Sequence, residues 1–312
     1  MPAELLAAMT AALRAGDDAL IESAFAESAS AEMHGVLSRA LHAALSSRNQ
    51  AALQWRLFCI PLLIVSGGRA PLTLTGVLPD AGELKAIFDA HGTLGAMKNF
   101  ALGNALASAT GLAVLTPGTL WKVMHRTENT AFAPLDLPPA PIHLDSADEQ
   151  VHLRFLGGVT LTSADAPDFA ETAGNIAAWG MPFTKALAAQ LAQPGLSLLP
   201  IPRPPMSALA ALDAGRFACA ELGLQLFLSN GLRKFRSRVG EAEAFVRSCA
   251  DACVRIRLAS PFDGTLTTEY TWPLQPGDDL EAIERSIASL LAECRVENIR
   301  ISDAVEAAGA AH

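Results

Sequence analysis

The densest group of chemistry-bearing side chains is "GLRKFRSRVG", residues 231–240, where Arg233, Lys234, Arg236 and Arg238 surround Phe235. Four cations within six residues form a local positive patch. Such a patch can hold a phosphate, a nucleic-acid backbone or an acidic protein surface. The segment "EAEAF" follows. Glu241 and Glu243 stand at helical spacings from the cations, so a solvated helix face laced by ion pairs is the plainer alternative. The patch is the candidate binding site.

The remaining reactive residue types point to less. The seven histidines are His34, His42, His91, His125, His143, His152 and His312. No two have the H-E-x-x-H spacing that sets a pair of metal ligands on one helix face. His91 precedes a glycine at an expected helix end, where an imidazolium meets the negative pole of the helix dipole. Of the five cysteines, Cys249 and Cys253 lie four apart and would share one face of a helix. Without a second close pair they do not make a zinc knuckle, and two core thiols are expected. The odd number, with Cys59, Cys219 and Cys294, argues for reduced thiols in a reducing compartment. Neither a metal nor a cofactor is expected.

"FCIPLLIVSGG", residues 58–68, looks at first like a strand leading into a phosphate loop. A P-loop needs G-x-x-x-x-G-K-[ST], and a dinucleotide fold needs G-x-G-x-x-G opening a helix. The chain continues "RAPLTLTGVLPDAG", without a lysine and without an immediate helix. Gly67 and Gly68 are therefore expected to turn the chain. Ser66 is not at the centre of a G-x-S-x-G elbow, because residue 64 is Ile. No catalytic residue is assigned. "PGDDLEAIE" reads as a helix start with its acids at the positive pole.

The bulk properties agree with a folded, non-basic protein. The 312 residues are 51% hydrophobic and carry a net charge of −9. That supports a sizeable core and two domains. It disfavours a general nucleic-acid binder, which needs a basic field to displace counterions. The N-terminus lacks a basic segment followed by an apolar one, and the apolar run Leu57–Val65 is well short of the ~20 residues of a membrane helix. Cytoplasmic location and no membrane insertion are expected.

The elements that must position these residues read as follows. Residues 1–54 carry helical stripes (Leu5, Leu6, Met9, Leu13; then Val36, Leu37, Leu41, Leu45) and form an expected helical cap. Residues 55–132 form a first α/β unit, in which 57–67 is a strand and Pro61 argues for an edge, a bulge or a break in pairing. "DAGELKAIFDAHG" and "MKNFALGNALASATG" are expected helices, "LAVLTP" a strand and "GTLWKVMHRTE" a helix. "APLDLPPAP", residues 133–141, has four prolines and is placed as a linker.

Residues 142–305 form the second α/β unit, and 306–312 a loose tail. Here "VHLRFLGGVTLTS" is a strand bulged at Gly157–Gly158, followed by a helix with Pro182 inside it and the strand "LSLLPIP". Residues 205 to about 250 are expected to be helical with a break near Gly231. "CVRIRLAS" and "TLTTEYTWPL" make a hairpin, and helix 278–293 and the strand "VENIRIS" complete the unit. The fold class is α/β with mixed sheets. The echo of "LLIVSGG…LAVLTPG" in "RFLGGVT…LSLLPIP" is the kind that a degenerate duplication leaves.

Two functions follow from this pattern. The first is a non-enzymatic cytoplasmic interaction or assembly protein that binds a protein partner or itself. The alternative is a small-molecule or nucleotide enzyme with its site at the carboxyl ends of the strands.

Overall fold

The computed structural model describes residues 53–68, 72–91, 100–114, 132–144, 149–163, 176–206, 208–234, 242–249, 252–260, 267–274, 278–296 and 298–306. Residues 1–52 of the expected helical cap, the helix at 118–128 and residues 307–312 of the expected tail lie outside them, while 53 and 54 begin a strand and 306 ends one. In chain order the elements are β1 (Leu53–Gly68), β2 (Leu72–Leu74), α1 (Ala81–His91), β3 (Phe100–Gly103), β4 (Phe132–Leu135), β5 (Ile142–Leu144) and β6 (Gln150–Ser163). They continue with α2 (Ile176–Leu191), β7 (Leu196–Pro202), α3 (Ala208–Lys234), β8 (Glu243–Cys249), β9 (Cys253–Ala259), β10 (Thr267–Pro273), α4 (Leu280–Glu293) and β11 (Asn298–Glu306). A 3₁₀ turn spans Gly111–Val114. The class is α/β with mixed sheets, as the alternation of apolar periods indicates. No helix among the described residues is long and apolar enough to cross a membrane.

The chain divides into two compact units. The first draws on Met1–Val65, Pro71–Asp145 and His152–Gly215, the second on Ser66–Ala70, Ser146–Val151 and Arg216–His312. The division therefore falls inside α3, and the expected linker at 133–141 belongs to the first unit. Leu135 and Leu137 of that stretch are buried, and β4 occupies its start. Ala140 N donates to Leu106 O at 2.9 Å. Arg154 donates to the carbonyls of Ala140 and Pro141 at 3.0 and 2.6 Å. Prolines end ladders, but they do not prevent apolar neighbours from packing.

The first unit is built on a five-stranded sheet of order β4-β3-β6-β1-β7, with β3 parallel to β4 and antiparallel to β6. β1 is nearly continuous apolar sequence, which suits a strand covered on both faces. Phe58, Ile60, Leu62 and Ile64 join one core with Phe88 of α1 and Trp179 and Phe183 of α2. The three rings touch edge-to-face or stacked at 5.2–5.5 Å. Asp80 caps α1, its carboxylate accepting from Glu83 N at 2.9 Å. Gln190 at the end of α2 donates to Asp80 O and Glu83 Oε2, which ties the two helices together.

Several expectations need correction here. Gly67 and Gly68 are the last residues of β1 and do not follow it. At Pro61 the edge alternative is excluded, since β1 is interior, and the break in pairing is what is found: Arg203 N donates to Pro61 O, and Cys59 exchanges two bonds with Met206. Between Arg203 and Met206 stand Pro204 and Pro205, so the ladder there is interrupted from both sides. "FALG", residues 100–103, is strand β3, not helix, because its pairing with β4 and β6 outweighs a weak helical propensity. "GLAV" is a 3₁₀ turn rather than a strand. β6 runs through Gly157–Gly158 with the β3 register even through Gly158. The two segments of the expected duplication, β1 and β6–β7, share one sheet, so they are not separately folded repeats.

The second unit has a four-stranded sheet of order β10-β9-β8-β11. β8 is antiparallel to β9, β9 to β10, and β8 is parallel to β11. The hairpin β9–β10 and the helix α4 are as expected. Residues 243–249 are strand, not the end of a long helix, and α3 runs through Gly231 without a break. Ile283, Ile287, Leu290 and Leu291 of α4, with Leu224 and Leu228 of α3, bury one sheet face around Trp272, Val254, Ile256 and Leu258. Asp279 caps α4, accepting from Ala282 N at 3.1 Å.

Candidate functional site

With both helices of the second unit on one side, the other side of its sheet carries what alternation leaves over. On β8 the core takes Ala244 and Val246, and the opposite face takes Glu243, Phe245 and Arg247. On β9 the core takes Val254, Ile256 and Leu258, while Arg255 and Arg257 are exposed. A strand reverses its side chains every residue, so one buried stripe forces the other outward.

Strand register then aligns these residues into rows. Arg300 pairs with Phe245, Phe245 with Arg257, and Arg257 with Glu269, so one row crosses all four strands. The next row sets Arg247 against Arg255 and Arg255 against Thr271. The row on the other side runs Asn298, Glu243, Ala259, Thr267.

The central row has a defined geometry. The guanidinium carbon of Arg257 lies 5.1 Å from the Phe245 ring centroid, and that of Arg300 lies 5.6 Å from it. Both are within cation–π range, worth ~0.5–1 kcal/mol each at an exposed site. Arg300 also reaches Glu243 at 3.4 Å while remaining 68% exposed. Arg257 forms no ion pair among the described residues. These three rows thus hold four arginines against two glutamates, in a chain whose net charge is −9.

The chain matches no family model, no curated protein and no solved structure. The site is read from its geometry alone.

The residues singled out in the sequence are placed differently. Arg233 and Lys234 are the last two residues of α3. Arg236 and Arg238 lie outside the described residues, as does Glu241. Glu243 begins strand β8 and meets Arg300, so it does not stand on a helix face. Cys249 and Cys253 share a face of a hairpin, not of a helix, because β8 and β9 bring them opposite each other. Phe245, Arg247, Arg255, Arg257 and Arg300 went unnoticed. Their signal was present: "VRIRL" and "NIRIS" alternate aliphatic residues with arginine, as a half-buried strand with a basic outer face does.

Chemically the face offers planar, permanently charged donors. Guanidinium forks match carboxylates in bidentate geometry, and stacking on Phe245 limits the rotamer freedom that binding would otherwise remove. Among the described residues no three His, Cys, Asp or Glu side chains converge to hold a metal ion.

Proposed function

We propose that the chain is a non-enzymatic cytoplasmic interaction protein. Its second unit docks an acidic segment of a partner protein across the open sheet face. The observation that carries the reading is the row Arg300–Phe245–Arg257, a clamped aromatic flanked by two cations on three adjacent strands. Arg and aromatic residues are the side chains that most often dominate protein interfaces.

A protein partner is favoured over nucleic acid for two reasons. Single-stranded nucleic acid is held by aromatic faces on which bases stack, and here arginines occupy the Phe245 ring. The arginines stand at separate register positions beside Glu243 and Glu269, which suits carboxylates placed at chosen positions of a peptide better than the evenly spaced charges of a nucleic-acid backbone.

The test uses a fluorescent glutamate-rich peptide, a single-stranded oligonucleotide and the protein alone. Fluorescence anisotropy is expected to show peptide binding that weakens with salt and is lost in Arg257→Glu/Arg300→Glu with the fold retained. Preference for the oligonucleotide would overturn the reading, as would self-association that the double variant abolishes while peptide binding is absent.

A further inference from the structure

We propose that Cys249 and Cys253 are a dithiol–disulfide pair that closes the end of the β8–β9 hairpin. This is independent of what docks on the sheet. The two residues are direct cross-strand partners in the antiparallel register, and both are reduced in the structure. Opposed residues of an antiparallel pair have Cα atoms about 4.5 or 5.5 Å apart, depending on which pair type they form. Either value lies within the roughly 4.4–6.8 Å over which a disulfide closes, so little backbone movement is needed.

The cross-strand neighbours Arg247 and Arg255 stand two residues along on each strand, on the same face. On its other side Cys249 has Glu306 of β11 as register partner, so residues of both signs flank the pair. Cys249 is half-buried, whereas Cys253 is 4% exposed. Among the described residues Cys249 Sγ makes a weak contact, donating to Arg247 O at 3.8 Å. Two of the other thiols are less suited. Cys59 is buried, with its thiol pushed up to about 12 by desolvation. Burial and the neighbouring Glu293 raise Cys294.

The chemistry requires a two-electron oxidant, for which a hydroperoxide serves. The Cys249 thiolate attacks one peroxide oxygen, the O–O bond breaks, and a sulfenic acid and hydroxide form. The Cys253 thiol then attacks that sulfur, the S–O bond breaks, and water leaves as the S–S bond forms. Two thiols and one hydrogen peroxide become one disulfide and two waters. The exposed partner meets the oxidant and the buried one resolves it.

Trypsin cuts after Arg247 and Arg255, so both cysteines fall in one peptide, Ser248–Arg255. After treatment of the native protein with hydrogen peroxide, this peptide is expected two hydrogens lighter and protected from alkylation until reduced. Peroxide-treated Cys249→Ser and Cys253→Ser proteins should show no such protection. Short spacing alone also lets an unfolded chain close the ring, so the synthetic peptide Ser248–Arg255 is the reference. In one glutathione buffer the folded protein is expected to lie about tenfold or more further toward the disulfide than the peptide, because the hairpin holds the sulfurs together. An equal or lower disulfide fraction in the folded protein would overturn the pair. So would Cys249 progressing to sulfinic acid with Cys253 still alkylatable, or bonds formed instead to Cys219 or Cys294.

Discussion

Phe245 on β8 lies directly opposite Arg257 on β9, with the guanidinium carbon 5.1 Å from the ring centroid. The contact pins one of the four arginines of an otherwise open sheet face, and Arg300 approaches the same ring from β11. Phe245→Ala is expected to lower stability by about 1–2 kcal/mol, since it removes two cation–π contacts at a half-exposed site. Urea unfolding measures this. Phe245→Leu keeps the bulk without the ring quadrupole and should recover only part of the loss.

Gly158 on β6 faces the buried ring of Phe58 on β1, and a Cβ there would also stand 2.9 Å from the Ala101 carbonyl. Gly158→Ala is expected to destabilise by about 1–3 kcal/mol through overpacking. Phe58→Leu in the same chain should relieve part of that cost if the ring is the obstacle. A strictly additive double variant would show that it is not.

Arg216 and Asp278 form a two-pronged ion pair at 2.7 and 2.8 Å, with side chains only 22% and 17% exposed. Asp278→Ala leaves a largely desolvated guanidinium and should cost about 2–3 kcal/mol. The more open Lys85–Asp89 pair on α1 is the control. Asp89→Ala should change stability by less than about 0.5 kcal/mol. Thermal unfolding of the two variants separates the cases.

Burial pushes the Cys59 thiol from its ordinary 9.0 up to about 12. The native state therefore holds this proton longer than the unfolded chain does. The corresponding stability is complete below pH 9, and it is lost as the pH rises towards 12. Subtracting the Cys59→Ala stability profile from the parent's should isolate a difference that shrinks across that window. A flat difference would mean that the thiol does not titrate as a buried group.

Helix α4 ends with Arg295 at φ 62°, in the left-handed region that favours glycine. Arg295 N donates to Ala292 O and Val296 N to Leu291 O, the paired bonds of a Schellman close, and Val296 is buried. Arg295→Gly is expected to stabilise by about 0.5–1 kcal/mol, because glycine adopts this conformation without a Cβ clash. Differential scanning calorimetry would register it as a higher midpoint.

Much of this protein was legible from neighbours along the chain. The apolar run at 57–65, the caps at Asp80 and Asp279, the stripe of α4 and the alternation of β9 each depend on local chemistry, and each appears where its pattern lies. "EAFVRSC" and "FALG" were misread because each continues a stretch with helical periodicity, and it is pairing to β9, β11, β4 and β6 that makes them strands. The proline run at 133–141 resembles a linker, but it closes the first unit because Leu135 and Leu137 find a core.

The sequence by itself determined the α/β class and the strand character of segments such as "CVRIRLAS", because apolar–polar alternation is a property of the extended chain. It could not show that Arg300, Phe245, Arg257 and Glu269 form one row, or that Cys249 meets Cys253. Those neighbours are set by strand order and register, which arise from backbone pairing between segments far apart in the chain, as between Glu243 and Asn298. Tertiary pairing, not proximity along the chain, decided where the positive face lies.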